Sequence, residues 1–172
     1  MLKIKTFIDP LRKTLLISLH PPYVKQIENG TKVIEYRKSF FKHPFQAFVY
    51  TTGKHGGIEL FIKCGQPIIG EAKLMARIGQ KIQNDNYQET YQYFIKKNQG
   101  VIIPILKAIS LKKISKNYLF SHFKNFSAPQ SYLFLNRADK KNILGYLKND
   151  ECVRVEDNQW NEKYKEINEI LK

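Results

Sequence analysis

Lys32, Glu35 and Arg37 fall within six positions of one another, just after Gly30 and inside the β-prone run 33–38. A strand that carries this much charge is either a solvated edge or the floor of a polar pocket. Alternation of side chains puts Glu35 and Arg37 on one strand face. Lys32 joins them only if the turn at Gly30 and Thr31, or a bulge, brings it round. Arg37 offers a planar fork of donors to a phosphate or a base edge, and Glu35 accepts from an amino group or orients Lys32. A lysine desolvated beside another cation gives up its proton more readily, which suits a general base or an activated amine. The plain alternative is an exposed Glu35–Arg37 ion pair that contributes little. Tyr36 alternates to the face opposite Glu35.

Other residue patterns narrow the chemistry. Thr51-Thr52-Gly53-Lys54-His55-Gly56-Gly57 lacks the spacing of a nucleotide-binding P-loop. Its glycines and Lys54 suit either an anion nest or a mobile hairpin tip. Thr51 and Thr52 close the strand before it and are candidate hydroxyl ligands. His20, His43, His55 and His122 are scattered, and Cys64 and Cys152 stand far apart without metal-binding spacing, so no metal and no cofactor is expected. Tyr36, Phe40, Phe41, Tyr50, Tyr87, Tyr91 and Trp160 would stack on bases or, at their strand and helix spacings, fill a core.

The elements that must position these groups follow from the apolar pattern. Residues 13–19 read as a short strand buried on both faces. Pro21 and Pro22 start a helix, and Gly30 stands where a left-handed cap is wanted. Residues 46–52, 58–63 and 67–77 read as consecutive strands with glycine-rich turns, in antiparallel hairpins. Asn84 or Asp85 caps a helix over about 86–98 that Gly100 ends. A strand-like region follows from Val101 to about Ile114, with an edge or bend at Pro104. Residues 132–135 make a closing strand. Residues 139–147 and 157–171 read as helices, the second with Trp160, Tyr164, Ile167 and Leu171 in one stripe. The chain divides into a barrel domain, 1–136, and a helical extension packed on it, 137–172.

The 172 residues suit a domain with a sizeable core, and the formal net charge is +14. Residues 1–148 hold 25 Lys and Arg against 8 Asp and Glu, while residues 149–172 hold 4 against 7. A cationic body with a mildly acidic tail fits a polyanionic partner or a lysine-rich proteome. Lys112, Lys113, Lys116, Lys124, Lys140 and Lys141 form the densest basic stretch, either a backbone-tracking surface or a solvated face. No apolar run approaches the length of a membrane span, and the N-terminus lacks a cleavable signal pattern. Unpaired cysteines fit a reducing cytoplasm. A cytoplasmic protein with no membrane partner is expected, a monomer being favoured.

Leu15-Leu16-Ile17-Ser18-Leu19-His20-Pro21-Pro22-Tyr23, then Gly30, Lys32, Glu35 and Arg37, then Pro129-Gln130-Ser131, stand in the order of landmarks of the ASCH domain, which the chain resembles over about residues 14–135. The resemblance implies an α+β, partly open PUA-like β-barrel with flanking helices. It further implies a cleft between the first helix and the barrel, lined by the Gly-x-Lys-x-x-Glu-x-Arg element, with Gln130 and Ser131 joining Thr51 and Thr52 as ligand residues. The implied partner is RNA or a modified nucleoside. Some members of the family hydrolyse N4-acetylcytidine with the motif lysine and a threonine three residues later, and some are reported ribonucleases. Here Glu35 stands in place of that threonine, which counts against the amidohydrolase activity. RNA or nucleoside binding is therefore the first expectation. A hydrolase with Lys32 as base and Glu35 beside it is the alternative.

Overall fold

A computed structural model describes residues 1–172 and shows one mixed sheet with helices on its flanks. The path begins with β1 (Lys13–Leu19), α1 (Pro21–Glu28), β2 (Ile34–Arg37), β3 (Phe45–Thr51) and β4 (Gly57–Cys64). It continues through β5 (Ile68–Gly70), α2 (Ala72–Gln83), α3 (Tyr87–Ile95), β6 (Gly100–Ser115), α4 (Lys116–His122), β7 (Tyr132–Phe134), α5 (Lys141–Lys148), β8 (Cys152–Asp157) and α6 (Trp160–Leu171). The strand order is β2-β6-β4-β3-β1-β7; β1 and β3 run parallel, and the other pairs are antiparallel. β1 lies between β3 and β7, and its residues 14–17 are all buried, which is why it reads as a continuous apolar run.

β6 organises the barrel. Its first half pairs with β2 and β5, its second half with β4 and β8. Pro104 is therefore not an edge residue. It falls where the strand exchanges partners, next to a bulge between Lys63 and Cys64, so its missing N–H leaves no ladder bond unmade.

Four expectations need correction. Residues 71–77 are not strand: β5 stops at Gly70, pairs with β6 rather than β4, and gives way to α2. Ala72, Met75, Ala76 and Gly79, all buried, form one helical face. Asn86, not Asn84 or Asp85, caps α3, its side chain accepting from the Glu89 N–H at 3.0 Å; Asn84 instead ends α2 at φ +57°. Gly100 opens β6 after α3 has ended at Ile95. Residues 137–172 do hold helices α5 and α6, but they also hold β8, a strand with charge on it that joins the sheet beside β6.

One apolar core fills the barrel around Leu15, Ile17, Phe45, Val49, Leu60 and Ile103. A second, around Phe48, Phe61 and Leu147, lies under α4 and α5. The third seats α2, α3 and α6 over β2 and β6: Trp160 and Ile167 of α6 are buried, Tyr164 packs beside them, and Leu171 is exposed. No helix is long and apolar enough to cross a membrane.

Candidate functional site: a cleft between α1, β2 and the α2–α3 hairpin

The turn after α1 settles where Lys32 points. Gly30 takes the left-handed conformation, φ +77°, and the N–H groups of Thr31 and Lys32 both donate to the Gln26 carbonyl at 3.0 Å. This tight reversal swings Lys32 round to the Glu35 face, where its Nζ lies 3.1 Å from Glu35 Oε2. The other carboxylate oxygen, Oε1, accepts from Arg37 Nε, also at 3.1 Å. Glu35 thus bridges two cations, in place of the direct lysine–arginine neighbourhood that spacing suggested. Lys32 is 6% exposed and Glu35 8%, so the bridge is enclosed.

Further contacts fix the two cations. Lys32 Nζ lies 5.2 Å from the centre of the Tyr23 ring and 5.5 Å from that of Tyr36, within reach of cation–π attraction. Arg37 Nη2 donates to the Ser18 carbonyl at 3.1 Å, and its guanidinium lies 5.6 Å from the Phe40 ring centre. The donor fork is therefore partly occupied, with Nη1 making no hydrogen bond to the protein.

The opposite wall comes from α2 and α3. Gln83, the last residue of α2, accepts from the N–H groups of Val33 and Ile34 at 2.6 and 3.0 Å and so ties the helical hairpin to the start of β2. Its amide nitrogen donates to Asp85 at 3.0 Å, and the Tyr36 hydroxyl donates to the same carboxylate. Burial, followed by the Asp85 contact, pushes the Tyr36 phenol well above its ordinary range, so it stays a donor. Gly79 allows this: a Cβ there would collide with the Tyr36 hydroxyl. Tyr36 is thus turned under the hairpin, as alternation predicts, yet part of it still lines the cleft.

The remaining side is formed by His20, Thr52 and the segment 128–130. His20 Nδ1 and Thr52 Oγ1 are 3.1 Å apart, and Ser18 Oγ donates to the Pro129 carbonyl at 2.6 Å. These walls form a cleft of about 820 Å³ that is partly open to solvent. Lys32 and Arg37 face three carboxylates in its lining, Glu35, Asp85 and Glu89, so the cleft is not basic although the chain is. Tyr23 and Tyr93, about half exposed, add aromatic surface near the rim.

The cleft brings together Lys32, Glu35, Arg37, Thr52 and Gln130. Thr51 is buried and turned away, donating to Glu59 at 2.9 Å, because successive side chains at a strand end point to opposite faces. Ser131 is exposed and outside the lining, as are Lys54 and His55 at the hairpin tip. Gln83, Asp85, Glu89 and Tyr93 are among the lining residues that sequence reasoning missed: a helix over about 86–98 is expected, but no local signal places it against β2. The helical recurrence of Ala72, Met75, Ala76 and Gly79 is the signal that could have found the hairpin.

No family model and no curated protein sequence matches the chain. Among solved structures, the crystal structure of ASCH from Zymomonas mobilis is similar at 20% identity and TM-score 0.66, over 78% of this chain and 95% of that one. Two point mutants of the same protein are also similar at 20% identity and TM-score 0.65, covering 81% and 83% of this chain and all of theirs. A likeness at this level of identity is one of architecture: this chain has the ASCH fold, an α+β PUA-like half-barrel with flanking helices.

Proposed function

We propose that the cleft binds an unpaired base of RNA, or a modified nucleoside, on the bridge formed by Lys32, Glu35 and Arg37. The observation that carries this reading is the enclosed bridge itself. Donors and an acceptor stand side by side, held at 3.1 Å, at the floor of a cleft with aromatic walls. The edge of a base presents such a mixed donor and acceptor pattern, whereas a phosphate presents acceptors alone. The carboxylates of Glu35, Asp85 and Glu89 disfavour a phosphate in the cleft and favour a ligand with amino groups to donate. A volume of about 820 Å³ lies within the roughly 300–1,000 Å³ of small-ligand sites.

A hydrolase acting on the same ligands is the second reading, favoured by one observation: Lys32 is almost wholly enclosed, as a base or activated amine would be. Calorimetric titration with cytidine, N4-acylated cytidines and short single-stranded RNA, with mass spectrometry of the mixture afterwards, separates the two. Binding without new products supports recognition alone, and deacylated or cleaved products support the hydrolase. Arg37→Ala weakens binding at least tenfold in either case; equal binding by Arg37→Ala would show that the ligand lies elsewhere.

A further inference from the structure

The positive charge of this chain is concentrated beside the cleft, not in it. Residues 112–148 hold eight Lys and Arg and a single acid, Asp139, and Arg137 occupies that acid with Nε at 3.1 Å from Oδ1. Lys116, Lys124 and Lys141 are exposed and take part in no salt bridge. Aromatic rings stand among them. Phe120 is 48% exposed and lies one helical turn from Lys116 on α4, which places the two on one face. Tyr118 stacks on His122 with ring centres 3.7 Å apart and on Tyr146 at 5.5 Å, and Tyr146 is 42% exposed.

This surface adjoins the cleft through one segment of chain. Residues 123–127 line a second cavity of about 270 Å³, together with Lys140 and the underside of β1 and β7. Residues 128–130, the next three, line the cleft. Ser127 of the second cavity and Ala128 of the cleft are consecutive residues, so the two cavities meet along the chain. Lysines alone fit any polyanion, but exposed rings interleaved with lysines suit unpaired bases, which stack on aromatic faces while the backbone is held electrostatically.

Resting on the reading of the cleft given above, we infer that the α4 surface and residues 123–127 form a second binding surface for the flanking strand of a single-stranded RNA. Lys116, Lys124 and Lys141 meet phosphates, and Phe120 and Tyr146 stack on bases. Each phosphate contact adds about 0.7 to the log–log salt slope of single-strand binding. Three such contacts account for a change in slope of about 2.

The test uses the full chain and a fluorescein-labelled oligouridylate of roughly 12 nucleotides, followed by anisotropy across a salt series. The triple variant Lys116→Gln, Lys124→Gln, Lys141→Gln should show a slope shallower by about 2 with an unchanged melting temperature. Phe120→Ala should weaken binding about tenfold, and neither change should affect nucleoside binding in the cleft. A wild-type slope in the triple variant overturns the inference, as does polyglutamate displacing the labelled RNA as well as unlabelled RNA does. If the triple variant flattens the slope while Arg37→Ala leaves RNA and nucleoside binding intact, the surface stands and the cleft reading fails. If Arg37→Ala abolishes binding and the triple variant behaves as wild type, the cleft stands and the surface fails.

Discussion

Glu35→Gln is the substitution that separates a compensated buried bridge from a solvated one. Glutamine keeps the shape and one acceptor oxygen but removes the negative charge that sits 3.1 Å from both Lys32 and Arg37. The Lys32 side chain is only 7% exposed and that of Arg37 16%, so two like charges would remain together with little water to screen them. Removing one partner of a buried ion pair costs about 3–5 kcal/mol, and the open side of the cleft argues for the lower end, about 3 kcal/mol. In a chain of 172 residues each kcal/mol lowers the melting temperature by about 2–4 °C, so a fall of about 6–12 °C is expected. Urea unfolding should show a lower midpoint at an unchanged slope. Sulfate should raise the melting temperature of the variant more than that of the wild type, because the uncompensated cation pair recruits an anion through the open side of the cleft. Lys32→Met in the Glu35→Gln background should recover part of the loss. A melt unchanged from wild type, with no greater response to sulfate, would show the bridge to be a surface-like pair that contributes little.

Three further outcomes follow from the packing. Trp160 is 6% exposed and its Nε1 donates to the Ile105 carbonyl at 2.7 Å, so Trp160→Ala should cost about 3–5 kcal/mol in urea unfolding, and deletion of residues 157–172 should be at least as damaging. A truncated chain as stable as the whole would show that α6 does not seal the core beneath it. Gly79→Ala places a methyl group against the Tyr36 hydroxyl, so it should break the Tyr36–Asp85 contact and weaken ligand binding from outside the cleft, despite the better helix propensity of alanine; a variant both more stable and fully binding would contradict this. Glu28 has its carboxyl raised above 4.5 by burial and then by Glu59, so the folded state is penalised by its charge at neutral pH. That penalty fades as pH falls through the raised folded value, so Glu28→Gln should be stabilising at neutral pH and neutral below 4.5, as read from paired melts across pH.

The parts of the fold that could be read directly are those whose turns carry their own chemistry. Pro21 and Pro22 open α1, Gly30 closes the turn after it at φ +77°, and the glycines after Thr52 mark the β3–β4 hairpin. These local signals are why Glu35 and Arg37 could be placed on one face from the sequence, with the Gly30 turn named as what would bring Lys32 round to them. The start of α2 has no such signal: Glu71 stands at its N-cap position without a capping bond, and the β-prone Ile68-Ile69 runs straight into it. The acidic wall was illegible for a related reason. Asp85 and Glu89 are held at the cleft by tertiary contacts, the Gln83 side chain on the N–H groups of Val33 and Ile34, fifty and forty-nine residues away, and the Tyr36 hydroxyl on Asp85, and no local pattern encodes them. Pro104 misled in the other direction, because a central strand that changes partners at one point tolerates a residue that an uninterrupted ladder would not.

Under the proposed function, the floor of the cleft reads a base. The most direct test is calorimetric titration of the full chain with short single-stranded RNA and with cytidine derivatives, comparing wild type, Lys32→Ala and Arg37→Lys. Arg37→Lys keeps the charge but cannot span Glu35 and Ser18 while still presenting a nitrogen to a ligand. Both variants are predicted to lose at least about tenfold in affinity, some 1.4 kcal/mol, with their folds retained. Wild-type affinity in both would place the ligand outside this cleft and leave the bridge as a structural ion pair.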